Sequence, residues 1–68
     1  MLWQVHYISG GIADFRLICG RANAIDGACA LLDAGRDVLR INTARNPEII
    51  GALELREIHA QRKASRLR

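Results

Sequence analysis

The chain has 68 residues, half of them hydrophobic, and its ten Lys and Arg residues outnumber seven acids to give a net charge of +3. This length allows one domain at most, and the hydrophobic content excludes an intrinsically disordered chain. No run of about 18 apolar residues is present, so we predict no membrane span. Residues 1–11 lack a basic segment and a continuous apolar segment, which predicts no signal peptide and a cytoplasmic protein.

The first two predicted elements are the strands of a β-hairpin. Apolar and polar residues alternate in residues 2–9 and 12–19, which is typical of strands, and Gly10-Gly11 lies between them. A two-residue loop would place Val5 opposite Arg16, whereas a shift of one residue moves every side chain of one strand to the other face. We therefore expect a three-residue loop with a β-bulge. The apolar residues that this shift gathers on one face are Trp3, Val5, Tyr7, Ala13, Phe15, Leu17 and Cys19.

An amphipathic helix is predicted next. Asn23 is a suitable N-cap, and Asp26 favours the first turn. Apolar residues at helical spacing continue to Gly35, which is expected to end the helix. Gly27 and several alanines give this helix small side chains, which predicts that it lies close to a sheet or to another helix.

Residues 37–43 predict a third strand, and Asn46-Pro47-Glu48 predicts the start of a second helix that runs from Pro47 to about Ala64. A right-handed crossover would place the third strand beside the first and antiparallel to it. The expected fold is therefore one small α+β domain of residues 1–68, in the order β-β-α-β-α. It has a three-stranded, mainly antiparallel sheet, two helices and a frayed basic tail at residues 65–68.

Two elements carry apolar residues on more than one side, which predicts association. Leu55 and Ile58 lie nearly opposite the core stripe of the last helix, and Ile8, Ile12 and Ile18 fall on the outward face of the predicted hairpin. Small chains often gain stability from a partner subunit, although isolated apolar surface residues are also common. We therefore hypothesise a non-catalytic homodimer or accessory subunit that binds through one of these two sets.

The C-terminal helix also has a basic face. Its cations fall within about 120° of arc, and neither glutamate of the helix has a Lys or Arg four residues later. These residues are Arg56, His59, Arg62, Lys63 and Arg66. Phosphate contacts by the four Arg and Lys side chains would make the chain a nucleic-acid binder of low sequence specificity. The alternative is a solvated face that complements the helix dipole, and no aromatic residue or nucleic-acid-binding motif accompanies it.

Catalytic and metal-binding chemistry is not predicted. His6, Cys19, Cys29 and His59 lack the spacing of local zinc sites, and the two cysteines are expected to be core thiols, with a disulfide across the core as the alternative. A polar cluster around His6 on the outer sheet face is a further possible ligand site. No carboxylate pair, phosphate-binding loop or activated nucleophile is recognisable, so we expect neither an enzyme nor a cofactor. An active site formed only between subunits is left open.

Overall fold

The computed structural model describes residues 1–43 and 48–66. The elements are β1 (Leu2–Ser9), β2 (Ile12–Cys19), α1 (Arg21–Asp33), β3 (Asp37–Thr43), β4 (Ile49–Gly51) and α2 (Ala52–Arg66). The strands form one antiparallel sheet in the order β2-β1-β3-β4. The predicted α+β class with two helices is confirmed, and β3 lies beside β1 and antiparallel to it as expected. The sheet has four strands and not three.

The hairpin loop is shorter than expected. Ser9 pairs with Ile12, and the two residues between them, Gly10 and Gly11, have φ angles of 59° and 78°. Positive φ at both central residues is the signature of a type I′ turn, whose twist matches that of the flanking strands. The prediction of a three-residue loop is therefore wrong, and Val5 does pair with Arg16.

The side of the sheet that the helices cover explains this register. Trp3, Val5 and Tyr7 of β1 are buried there, whereas β2 is an edge strand and its residues are mostly exposed. Because β2 lies beyond most of the helical layer, its apolar residues are not required to face the helices. Asp14 and Arg16 take that side instead, and the Arg16 guanidinium carbon lies 5.6 Å from the centre of the Tyr7 ring.

The first helix begins earlier than predicted. Its N-cap is Gly20, with φ 92°, and Asn23 lies inside the helix, where its Nδ2 donates to the Cys19 carbonyl oxygen at 3.0 Å. The predicted stop at Gly35 is confirmed, since its φ of 80° is the left-handed conformation that glycine adopts most easily. The N–H groups of Gly35 and Arg36 donate to the carbonyls of Leu32 and Leu31, which completes a Schellman motif.

Small residues let α1 approach the sheet closely, as predicted. Ala24 and Ala28 are 0% exposed. A β-carbon added at Gly27 would lie 2.5 Å from Cδ1 of Ile18 in β2, which is closer than van der Waals contact allows. A side chain at Gly27 would therefore require the end of the Ile18 side chain, or the helix, to move.

The second helix begins later than predicted. Ile49–Gly51 forms the short strand β4, in which Ile50 pairs with Ile41 and is 2% exposed. The helix starts at Ala52 and continues to Arg66. Asn46 and Pro47, on which the earlier start was predicted, lie outside the described residues, as do residues 67–68 of the predicted tail.

The core lies between the sheet and the two helices, which pack on the same side. Val5, Ile41 and Leu55, from β1, β3 and α2, are each 0% exposed. Within residues 1–43 and 48–66, neither helix has the length and hydropathy needed to cross a bilayer.

Candidate functional site

The side of the sheet opposite the helices, here called the uncovered face, carries five of the eight exposed large hydrophobic side chains among the described residues. Cross-strand partners share a face, so the pairing of His6 with Phe15 and of Gln4 with Leu17 places these residues together on it. On β3, the buried residues Val38 and Ile41 are separated by two residues because of a bulge opposite His6 and Tyr7. Both of the intervening residues are exposed on the uncovered face.

All four strands contribute large apolar side chains to this face. The contributing residues, with their exposed fractions, are Leu2 at 56%, Phe15 at 51%, Leu17 at 56%, Leu39 at 38% and Ile49 at 61%. The His6 and Phe15 rings lie 5.8 Å apart, centre to centre. Neighbouring strands lie about 4.8 Å apart, and each strand rises about 3.4 Å per residue. These dimensions give the face a flat area on the order of 400 Å². An exposed cluster of large apolar side chains on one face often marks an interaction site.

The whole chain also exposes more surface than a compact monomer of its mass. Its accessible surface is 4671 Å², whereas a folded chain of this mass is expected to expose about 4,200 Å².

Three polar side chains form a hydrogen-bonded cluster at the centre of the uncovered face. Gln4 Oε1 accepts a hydrogen bond from His6 Nε2 at 3.1 Å and one from Asn42 Nδ2 at 3.4 Å. The Asn42 Oδ1 atom is buried and has no hydrogen-bond partner within the described residues. A buried carbonyl oxygen without a donor is unfavourable, so the cluster has capacity for one more donor.

Among the residues that the structure describes, the same face carries one cation and one anion. Arg40 pairs with His6 across the strands, and Asp37 pairs with Ile8, so both charged side chains lie on the uncovered face and both residues are exposed. In the part of the chain that the structure describes, neither takes part in an ion pair. The uncovered face is therefore apolar, with a polar centre and one charge of each sign.

The structure separates the residues predicted to form an interface. Ile8 lies on the uncovered face and is partly buried, whereas Ile12 and Ile18 lie on the helix side, because they pair with Ser9 and Trp3. Ile12 is 72% exposed near the hairpin turn, and Ile18 packs against the core. The hypothesis that placed these three residues on one face followed from the incorrect register.

The two predicted interface residues of α2 also lie inside the single chain. Leu55 is 0% exposed within the core, and Ile58 is partly buried against the core. The two residues predicted to lie opposite the core stripe of the helix are therefore part of the core or packed against it. We do not include Leu55 in the proposed interaction surface, because no partner can reach it in the folded chain.

The basic face of α2 is partly neutralised by α1. Arg62 Nη1 lies 2.5 Å from Asp26 Oδ1, and His59 Nε2 lies 2.6 Å from Asp33 Oδ1. The hydrogen bond with Asp26 raises the pKa of the Arg62 guanidinium above its ordinary value. Both pairs join the two helices. Asp26 and Asp33 lie 36 and 26 residues before their partners in the sequence, so local spacing within one helix does not reveal these pairs.

The other predicted phosphate contacts have different surroundings. Arg56 and Lys63 are exposed and take part in no ion pair within the described residues. The side chain of Arg66 lies outside the part of the chain that the structure describes. The free basic surface of α2 is therefore smaller than the sequence predicts.

The thiols and histidines do not converge. Cys19 is exposed at the end of β2 on the uncovered face, so the prediction that it faces the core is wrong. Cys29 is buried on the helix side, and the sheet separates the two thiols. Among the described residues, no three His, Cys, Asp or Glu side chains form a group able to hold a metal ion.

The depression on α2 lined by Ile58, Gln61, Arg62 and Ser65 is open to solvent.

Comparisons with known proteins found no protein-family model, no curated protein and no solved structure that matches the chain.

Proposed function

We propose that this protein is a non-catalytic module that self-associates, with the uncovered face of one chain packed against the uncovered face of a second copy. The observation that carries the proposal is that every strand exposes at least one large apolar side chain on this face. An antiparallel sheet with one solvated face normally shows polar residues there. Packing a second copy on the face removes these side chains from water. This burial stabilises the dimer by about 25 cal/mol for each Å² of apolar area.

The charges on the face favour a second copy over a polyanion. A two-fold interface brings the same patch from both chains together, so the patch must complement itself. Arg40 and Asp37 provide one cation and one anion, and a two-fold axis between the faces can bring the Arg40 of each chain toward the partner's Asp37. A nucleic acid would instead require an excess of cations on the same face.

The size of the face also fits a small homodimer. Stable interfaces bury roughly 600–1,000 Å² of accessible surface per chain. The protruding side chains raise the accessible area of the uncovered face above its flat area of about 400 Å².

Ile49→Glu tests the proposal. The variant places a carboxylate in the apolar contact twice per dimer, and an unpaired buried charge is strongly unfavourable, so we expect dimerisation to weaken by at least about tenfold. The matched control is Leu53→Glu, which adds the same charge at a residue of α2 that is 77% exposed and lies outside the uncovered face. Light scattering on a sizing column measures both. Equal masses for the two variants and the native chain would reject the uncovered face as the interface.

The alternative function is low-specificity nucleic-acid binding through α2. The observation in its favour is that Arg56 and Lys63 are exposed and carry no ion pair within the described residues. Two free cations predict a slope of only about −2 for the logarithm of affinity against the logarithm of salt concentration.

Fluorescence anisotropy with a labelled DNA duplex tests this alternative. We expect no saturable binding at moderate salt and at most a weak, salt-sensitive signal at low salt, because Asp26 and Asp33 already pair with Arg62 and His59. A slope steeper than about −4 would require at least four phosphate contacts and would favour the nucleic-acid function. Arg56→Gln with Lys63→Gln should then weaken binding and reduce the steepness of the slope by about 2.

A further inference from the structure

The outer edge of β2 is a second surface able to bind the chain to a copy of itself. β2 has eight residues and contains no proline, and within residues 1–43 and 48–66 it pairs on one side only, with β1. An unpaired strand edge presents backbone N–H and C=O groups that another strand can join. Natural edge strands are commonly protected by proline, by charged side chains or by a bulge. β2 contains no proline, lysine or bulge, and its two charged residues, Asp14 and Arg16, are of opposite sign and can therefore complement a second copy.

The backbone groups of β2 that point outward can be assigned from the hairpin. In a two-residue hairpin the closing pair, here Ser9 and Ile12, exchanges hydrogen bonds, and every second pair after it does the same. The hydrogen bond from Gly20 N to the Met1 carbonyl oxygen at 3.0 Å continues this series at the far end of the strands. The residues between these pairs point outward, and they are Ala13, Phe15, Leu17 and Cys19.

One of these outward N–H groups is occupied by a side chain. The N–H of Phe15 donates to Asp14 Oδ1 at 2.8 Å. This contact confirms that the Phe15 N–H does not point toward β1. It also means that Asp14 must release this N–H before another strand can pair with it, which makes the edge a weaker site than an uncapped one.

The charges of β2 select one register for two copies. In an antiparallel pair centred on Phe15, the outward-pointing residues Phe15 and the partner's Phe15 form a hydrogen-bonded pair. Asp14 then lies opposite the partner's Arg16, and Arg16 lies opposite the partner's Asp14, in the pairs whose side chains approach most closely. A register centred on residue 14 or 16 would instead place like charges opposite each other.

We infer that two copies pair through their β2 edges in the register centred on Phe15, which creates a continuous eight-stranded sheet held by two Asp14–Arg16 ion pairs. This surface is separate from the uncovered face, because Asp14 and Arg16 lie on the helix side of the sheet. The two surfaces together predict a dimer through the uncovered face at low concentration and a tetramer of two eight-stranded sheets at high concentration.

Charge reversal tests the register in the Ile49→Glu background, in which the uncovered face no longer pairs. In this register, residue 14 of each copy lies opposite residue 16 of the other copy. Asp14→Arg alone therefore pairs arginine with arginine at both contacts, and Arg16→Asp alone pairs aspartate with aspartate. We expect each variant to self-associate about tenfold more weakly than the Ile49→Glu chain, because like charges directly opposite each other repel. An equimolar mixture of the two is expected to associate again, since every cross-strand pair then joins opposite charges.

Light scattering at high concentration gives the mass of each sample. In the Ile49→Glu background the net charge is +4 for Asp14→Arg and 0 for Arg16→Asp, so the two variants do not carry opposite net charges whose general attraction would produce the same recovery. Arg56→Asp, which reverses an exposed charge on α2, is the control that should leave the mass unchanged. A mixture with the mass of its separate components, or single variants with the mass of the Ile49→Glu chain, would overturn the inference. If Ile49→Glu does not affect the association of the chain, the proposed dimer through the uncovered face is wrong. The mixing experiment still tests pairing through the β2 edge, because it compares variants of β2 alone.

Discussion

Leu55→Ala is expected to lower the free energy of unfolding by about 2–5 kcal/mol. Leu55 is 0% exposed and belongs to the core cluster, so its truncation leaves a cavity between α2 and the rest of the fold. Total stabilities are about 5–15 kcal/mol, and a chain of this size is expected at the low end. A change of 1 kcal/mol shifts the melting temperature of so small a domain by about 4–8 °C. We therefore expect a fall of at least about 10 °C, measured by circular dichroism.

The matched control for this variant is Leu53→Ala. Leu53 lies two residues earlier in the same helix and is 77% exposed, so its truncation should change the melting temperature little. The pair of variants also separates two roles for α2. If Leu55→Ala kept the native melting temperature but lost self-association, Leu55 would act at an interface, as the sequence alone suggests, and the core described above would be incorrect.

Gly27→Leu is expected to destabilise the fold by about 1–3 kcal/mol, the usual cost of forcing extra volume into a packed contact. The added β-carbon would lie 2.5 Å from Cδ1 of Ile18, so α1 or Ile18 must move. Leucine favours helix over glycine by about 0.8 kcal/mol, so propensity alone predicts the opposite sign. Chemical denaturation measures the difference in unfolding free energy directly.

The control for steric crowding is Ala30→Leu in the same helix. Ala30 is exposed, so a larger side chain there meets solvent and should leave stability nearly unchanged. If Gly27→Leu proved as stable as the native chain, the helix would not be held as close to β2 as the structure indicates.

The hairpin illustrates what the sequence of this chain predicts and what it does not. Alternation in residues 2–9 and 12–19 correctly predicts both strands and the glycine turn. The register depends instead on which strand lies beneath the helices, and that is a property of the assembled fold. The assumption that all apolar residues of the hairpin share one face led to a three-residue loop. In the structure, Phe15 and Leu17 face away from Val5, and this difference produces the candidate interaction surface.

The β3–α2 region shows the limit of local helix signals. Asn46-Pro47-Glu48 has the composition of a helix start, and Ile49 and Ile50 fit the period of the helix that would follow. Short apolar runs fit a strand equally well, and pairing with β3 buries Ile50 beside Ile41. Only the presence of an available sheet edge decides between the two, and a single sequence does not contain that information.

The sequence predicts a run of cations on α2 but does not reveal their ion-pair partners. Local spacing reveals ion pairs within one helix, whereas Arg62 pairs with Asp26 and His59 with Asp33 across two helices. Exposed pairs of this kind contribute little stability, typically less than about 1 kcal/mol. Their effect is on function, because they reduce the number of cations that are free to bind phosphate.

The most direct test of the central claim is the solution mass of the native chain and of Ile49→Glu, measured by light scattering across a concentration series. For the native chain we predict a mass that rises from one chain of 7.5 kDa to at least two. The Ile49→Glu curve should shift to concentrations at least about tenfold higher, while Leu53→Glu follows the native curve. A native mass of a single chain at every concentration would contradict self-association, and a dimer unaffected by Ile49→Glu would place its interface elsewhere.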